Sequence, residues 1–130
     1  MVYYLVNLGM TLSVLFFGLG YWKRKDVDTH KLWMGLGVLA NLATAVLLVI
    51  TVHLFSEGDM QTAGFHPTVE APWILAHRML AVVAALTMIL MAVTGMLRKR
   101  KLHVALHYAF IPLYLVVYIS GLFMFEAGKI

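Results

Sequence analysis

Four long runs without a charged residue divide the chain, and they constrain its fold more than any other feature. Each is 19 to 25 residues long, and they cover residues 1–22, 32–56, 79–97 and 104–125. An α-helix rises about 1.5 Å per residue, so each run is long enough to cross the hydrocarbon core of a bilayer. The sequence therefore predicts four transmembrane helices, over about residues 2–22, 31–56, 73–97 and 103–125.

The composition agrees with a membrane protein and excludes several kinds of site. Hydrophobic residues make up 62% of the 130 residues, charged residues only 12%, and the mean hydropathy is +0.88, whereas the apolar share of a soluble domain is nearer half. The lack of cysteine excludes disulfides and iron–sulfur clusters. Short loops between sequential spans favour an all-α, up-down-up-down four-helix bundle. We expect a single integral membrane domain over residues 1–130.

Basic residues predict the orientation of these spans. Eight of the ten Lys and Arg residues lie in the first and third connections, KRKDVDTHK and RKRKLH. Because positively charged loops are retained on the cytoplasmic side, both connections should lie inside and both termini outside. We expect a multi-pass protein of a bacterial or archaeal cytoplasmic membrane. The basic residues flank apolar spans, so they indicate topology rather than nucleic-acid binding.

Histidines lie near the ends of three spans. His30 and His53 are 23 positions apart, or about 34 Å along one helix, which is roughly the thickness of the hydrocarbon core. His103 is expected at the same cytoplasmic boundary as His30, and His77 at the same external level as His53. Ionisable residues are rare inside membranes and indicate function by default. The sequence thus supplies one histidine pair for each leaflet.

The histidine-bearing face of each of these helices is small or polar. At about 100° per residue, the face of His30 continues through Gly37, Asn41, Thr44 and Leu48, that of His77 through Ala81, Ala84, Met88, Ala92 and Gly95, and that of His103 through His107, Tyr114, Tyr118, Gly121 and Phe125. We expect these faces to point into the bundle. Small residues at this spacing also allow close helix packing without any cofactor.

Paired imidazoles from facing helices suit a six-coordinate haem b. At the inner face we expect His30 to pair with His103 or His107. His107 has two further interpretations, as a hydrogen-bonding partner of the ligand or as a second imidazole of a copper or zinc site. The sequence therefore predicts one or two haem b groups, with copper as the alternative.

The outer pair, His53 and His77, is geometrically weaker than the inner one. His53 lies about 140° around a straight helix from His30, so the two cannot share one face. His66, in the external segment GFHP, is a substitute ligand for His77. Arg78 is a candidate partner for haem propionates, although its side chain also suits anionic headgroups.

Other residues bear on the class of function. Tyr114 and Tyr118 are candidates to hydrogen-bond a cofactor or to line a quinone site, or else they fill the bundle. All of the histidines have a structural interpretation as interfacial or packing residues. No carboxylate lies inside a span and no glycine-rich phosphate loop is present, which favours electron transfer over proton-driven transport or a stand-alone enzyme.

Several segments resemble a family of small four-span bacterial membrane proteins, some of which are linked to the maturation of haem–copper oxidases. The segments are HKLWM, VITVH, ILAHRMLA and LHVALHYAFIPLYLVVYISGLFMF. By this resemblance the family's four histidines correspond to His30, His53, His77 and His103. The spacing of His103, Pro112 and Gly121 also follows the family.

The chain departs from that family at His107 and Tyr108, where a basic residue is expected in place of the tyrosine. The additional histidine is similar to four-helix b-type cytochromes. We therefore expect a membrane-embedded b-type cytochrome module that carries electrons through bis-histidine haems within a respiratory complex. The expected partners are the lipid bilayer, other respiratory membrane subunits and quinone. The alternatives are a haem- or copper-binding assembly factor for a terminal oxidase, and a small structural subunit.

Overall fold

The computed structural model describes residues 2–127, which form four long helices and two short strands. The helices are α1 (Val2–Trp22), α2 (Val27–Ile50), α3 (Ala71–Met96) and α4 (Arg100–Met124), and the strands are β1 (Phe65–Pro67) and β2 (Phe125–Ala127). The strands pair in a two-stranded sheet. All four helices are long and apolar enough to cross a membrane. The prediction of an all-α, four-helix membrane protein is confirmed.

Helices α2, α3 and α4 begin earlier than the uncharged runs that predict them. For example, α2 begins at Val27 and α4 at Arg100, because polar residues continue a helix beyond the apolar part that faces hydrocarbon. Asp26 is the N-cap of α2, and its carboxylate accepts hydrogen bonds from the Thr29 N–H at 3.4 Å and from the Thr29 hydroxyl at 2.8 Å. An N-cap of this type satisfies N–H groups that have no partner within the helix.

The second span does not remain a straight α-helix. After Ile50 it continues as a π-helical turn, Thr51–Phe55, which contains His53. The Gly58 N–H donates to the Val52 carbonyl at 2.7 Å just beyond this turn. A π-helical turn changes the direction in which the following side chains point, so the straight-helix angle calculated for His53 does not hold. The His53 side chain is exposed.

The helices form two compact units, one containing α1 and α2 and the other containing α3 and α4. In the first unit, small residues allow the two helices to approach closely. A Cβ atom at Gly9 would clash with Thr44 Oγ1. The buried Ser13 hydroxyl donates to the Gly37 carbonyl at 2.8 Å. The small and polar stripe predicted on α2 therefore packs against α1.

In the second unit, a tight turn joins α3 to α4. The Lys99 N–H donates to the Thr94 carbonyl at 2.9 Å and the Arg98 N–H to the Gly95 carbonyl at 3.2 Å, which is the hydrogen-bond pattern of a Schellman motif. Arg98 occupies the left-handed position of that motif, with φ of 57°, where glycine is usually found. Because the chain reverses so quickly, the first turn of α4 packs beside the last turns of α3, and this places His103.

The segment between the second and third spans is ordered by side-chain hydrogen bonds. The Asp59 carboxylate accepts from the Thr62 hydroxyl at 2.6 Å and from the Gln61 N–H at 3.0 Å. The hydrogen bond from the Thr62 hydroxyl, and to a smaller extent that from the Gln61 N–H, hold the pKa of Asp59 below its ordinary value of 3.8. Phe65 of β1 is buried and packs edge-on against the ring of Tyr3, with ring centroids 5.5 Å apart.

Candidate functional site

His30 joins the first turn of α2 to the last turn of α1. Its Nδ1 lies 2.9 Å from the Gly20 carbonyl oxygen. The N–H that would normally bond this carbonyl belongs to Arg24, which donates to the Tyr21 carbonyl instead. A carbonyl oxygen can only accept, so the His30 Nδ1 carries the proton. The ring thus satisfies a backbone carbonyl in the last turn of α1, and the hydrogen bond fixes its orientation.

His103 makes a similar bond at the α3–α4 turn. Its Nδ1 lies 2.9 Å from the Met91 carbonyl oxygen and 3.4 Å from Thr94 Oγ1. The buried Thr94 hydroxyl donates to the same Met91 carbonyl at 3.1 Å. As in His30, a backbone carbonyl fixes the proton on Nδ1.

His77 is held by a side chain instead of by the backbone. Its Nδ1 lies 2.7 Å from the hydroxyl oxygen of Ser120 on α4. The Ser120 hydroxyl itself donates to the Val117 carbonyl at 3.0 Å. Since its single proton is used there, Ser120 accepts the Nδ1–H of His77.

These three histidines therefore share one tautomer. In a neutral imidazole with its proton on Nδ1, the lone pair that binds a metal is on Nε2. Histidine ligands of metals usually donate their other ring N–H to a carbonyl, carboxylate or similar acceptor, which fixes the ring and raises its basicity. His30, His77 and His103 have this arrangement of hydrogen bonds.

Glycines lie against two of the three rings. A Cβ atom at Gly121 would lie 3.3 Å from Cε1 of His77, and a Cβ atom at Gly95 would lie 3.3 Å from Cε1 of His103. Both contacts join α3 to α4. The predicted small-residue faces of these two helices thus pack on each other, and Ala84, Met88 and Tyr114 on them are buried.

The other predicted site residues range from buried to exposed. His107 lies one turn after His103 on α4 and is half-buried, with its ring edge-on to Tyr108 at a centroid distance of 5.7 Å. Tyr114 is buried against Phe110, with ring centroids 5.1 Å apart. His66 is half-buried in β1 and Arg78 is exposed.

Residues that sequence reasoning missed supply the hydrogen bonds to the histidine rings. These are Ser120, Thr94 and the backbone carbonyls of Gly20 and Met91. A serine next to Gly121 on the predicted inward face was a usable signal for the Ser120 contact. The carbonyls had no signal, because every residue has one.

Comparison with models of protein families, with curated proteins and with solved structures gives no match. The function must therefore be argued from the residues themselves. Among residues 2–127, no group of three or more His, Asp and Glu side chains is placed to hold a metal ion. Six-coordinate haem iron takes two axial ligands.

Proposed function

We propose that this protein is a membrane-embedded b-type cytochrome module that carries electrons through bis-histidine haem. The observation that carries the proposal is the common state of His30, His77 and His103. Each donates its Nδ1–H to an oxygen 2.7 to 2.9 Å away, so Nε2 is the ring nitrogen that carries the lone pair in the neutral imidazole. The proposal includes one or two haem groups, each bound through a pair of histidines.

The residues fit haem b in two respects. First, bis-histidine ligation needs imidazoles with a fixed ring plane, and the three hydrogen bonds provide one. Second, the glycines at positions 95 and 121 let the imidazoles of His103 and His77 pack closely against the facing helix, which limits rotation of the rings. When bound, haem supplies reversible one-electron chemistry, and the histidines hold and orient it.

The first test is a reduced-minus-oxidised visible spectrum of the detergent-purified protein, with haem and copper quantified per chain. The expected result is the narrow bands of a low-spin b-type haem, with one or two haems per chain. His30→Ala, His77→Ala and His103→Ala should each lose low-spin haem. His53→Ala, His66→Ala and His107→Ala then identify any further ligand. Unchanged spectra in all of the first three variants would reject the proposal.

A substitution away from the histidines is the matched control. The Thr87 hydroxyl bonds the Val83 carbonyl of its own helix at 2.8 Å, so Thr87→Ala removes a helical hydroxyl from the same unit. This variant should keep the wild-type spectrum. A protein that purifies with copper, or with haem only transiently, would instead favour an assembly factor for a terminal oxidase.

The proposal includes a position in a respiratory membrane with both termini on the external side. It is supported by the basic residues of the first and third connections, and four helices are long enough to span the bilayer. Because the sequence contains no cysteine, single substitutions can report sidedness. In right-side-out vesicles, an impermeant maleimide should label Met60→Cys but not Lys25→Cys. The reverse pattern would show the opposite orientation.

A further inference from the structure

The three fixed histidines differ in the kind of acceptor that holds them. His30 and His103 donate to the backbone carbonyls of Gly20 and Met91, which no substitution removes. His77 donates to a side chain, the hydroxyl of Ser120. The tautomer of His77 therefore depends on the identity of residue 120, whereas those of His30 and His103 depend only on the fold.

The Ser120 hydroxyl is set up to accept rather than to donate. Its proton is directed to the Val117 carbonyl one turn earlier in α4, at 3.0 Å. A hydroxyl that donates to a carbonyl is polarised and becomes a better acceptor, because hydrogen bonds in a chain strengthen one another. The short separation of 2.7 Å between Ser120 Oγ and His77 Nδ1 agrees with such a chain.

The neighbouring residue limits the movement of the ring. Gly121 follows Ser120, and its missing side chain leaves the ring of His77 in contact with the backbone of α4. Ser120 and Gly121 together thus hold His77 from one helix: the serine fixes the proton, and the glycine allows the approach that makes the hydrogen bond possible.

We propose that Ser120 is the positioning residue of His77, holding it as the Nδ1–H tautomer through the chain His77–Ser120–Val117. The consequence of this positioning role for haem binding rests on the proposed function. The loss of such an outer partner typically weakens metal binding by 10- to 100-fold, so Ser120→Ala should lower the affinity of the His77 site for haem by about that factor. The tautomer of the His77 imidazole can be measured without haem.

The experiment is ¹⁵N NMR of the full-length, haem-free protein labelled at histidine, in detergent micelles, well above the ordinary histidine pKa of about 6.5. The protonated and unprotonated ring nitrogens have widely separated shifts, and His77→Gln identifies the His77 signals. In the wild type, Nδ1 of His77 should be the protonated nitrogen. In Ser120→Ala, a substantial share of His77 should change to the Nε2–H tautomer.

Two further variants separate positioning from structural damage. Ser120→Thr keeps the hydroxyl and should keep the wild-type tautomer. Ser120→Cys keeps the side-chain size with a weaker acceptor, and should give a mixture of the two tautomers even if Ser120→Ala does not fold. Thr87→Ala is the matched control on α3, because the Thr87 hydroxyl bonds the Val83 carbonyl of its own helix at 2.8 Å and its loss should not change the His77 tautomer.

The outcomes of the two measurements are independent. An unchanged His77 tautomer in both Ser120→Ala and Ser120→Cys would overturn the positioning role, even in a protein that binds haem. A changed tautomer establishes the positioning role. If that protein binds no haem in a titration with hemin, only the proposed cytochrome function fails.

Discussion

Gly121 of α4 lies against the imidazole of His77 of α3, and a Cβ atom at position 121 would approach its Cε1 to 3.3 Å. The contact recurs in reverse at the other end of the same helix pair, where Gly95 of α3 lies against His103 of α4. In each helix the histidine and the glycine are 18 residues apart, or five turns of about 3.6 residues, so they share one face. Antiparallel packing of α3 and α4 therefore places each histidine against the other helix's glycine.

Substitution of Gly121 by valine should displace the ring of His77. The branched side chain adds volume where a single Cβ atom is already tight, and overpacking of this kind costs typically about 1–3 kcal/mol. We expect lower thermal stability in detergent and, under the proposed function, weaker haem binding through His77. Gly18→Val is the control, because a Cβ atom at Gly18 has no neighbour within 4 Å. Equal losses in both variants would show that the His77–Gly121 contact has no special role.

Substitution of Arg98 by glycine should stabilise the α3–α4 turn. Arg98 has φ of 57°, and the left-handed conformation costs a residue with a Cβ atom about 1–2 kcal/mol. The gain should appear as a higher unfolding midpoint in a denaturant titration of the micellar protein. Arg98→Ala removes the same charge but keeps the Cβ atom, so it should not show the gain. If the alanine variant is equally stabilised, relief of charge repulsion is the cause instead.

The contact between Gly9 and Thr44 should be testable by a double-mutant cycle. Gly9→Ala places a Cβ atom where it clashes with Thr44 Oγ1, so the helices must separate, at a cost of about 1–3 kcal/mol. Thr44→Ala removes the clashing hydroxyl and should restore much of that loss when combined with Gly9→Ala. The coupling energy is read from the unfolding free energies of the four proteins. Additive effects would mean that α1 and α2 do not meet here.

The N-cap of α2 should make stability depend on pH. Hydrogen bonds from the Thr29 hydroxyl and N–H lower the pKa of Asp26 below 3.8. A carboxyl group whose pKa is lower in the folded state stabilises that state above the unfolded pKa, and the effect disappears as pH falls through the folded pKa. The difference in unfolding midpoint between wild type and Asp26→Ala should therefore be present at neutral pH and shrink below about pH 4.

A charge control accompanies this prediction. Asp28→Asn also removes a carboxylate from the first turn of α2, but it leaves the hydrogen bonds of the Asp26 cap in place. Amide exchange at Thr29 should quicken in Asp26→Ala and much less in Asp28→Asn. Similar exchange in the two variants would attribute the effect to the helix dipole alone.

The sequence alone determined the number of long helices and the faces on which they pack. Uncharged runs of membrane-spanning length predict four helices because a bilayer accepts few other structures. The stripe through Gly37, Asn41 and Thr44 is buried as expected, since helical periodicity is a local property. The same periodicity marked His30, His77 and His103 as candidate ligands.

Only the tertiary structure decided the state and surroundings of these histidines. The tautomer of His77 depends on Ser120, which is 43 residues away in the sequence. That of His30 depends on the Gly20 carbonyl, which is available because the Arg24 N–H bonds the Tyr21 carbonyl instead. The π-helical turn at His53 and the pairing of β1 with β2 were likewise missed, because neither leaves a periodic pattern in so few residues. Hydrogen bonds between distant residues depend on how helices pack, and that information is spread over both partners rather than carried by either segment.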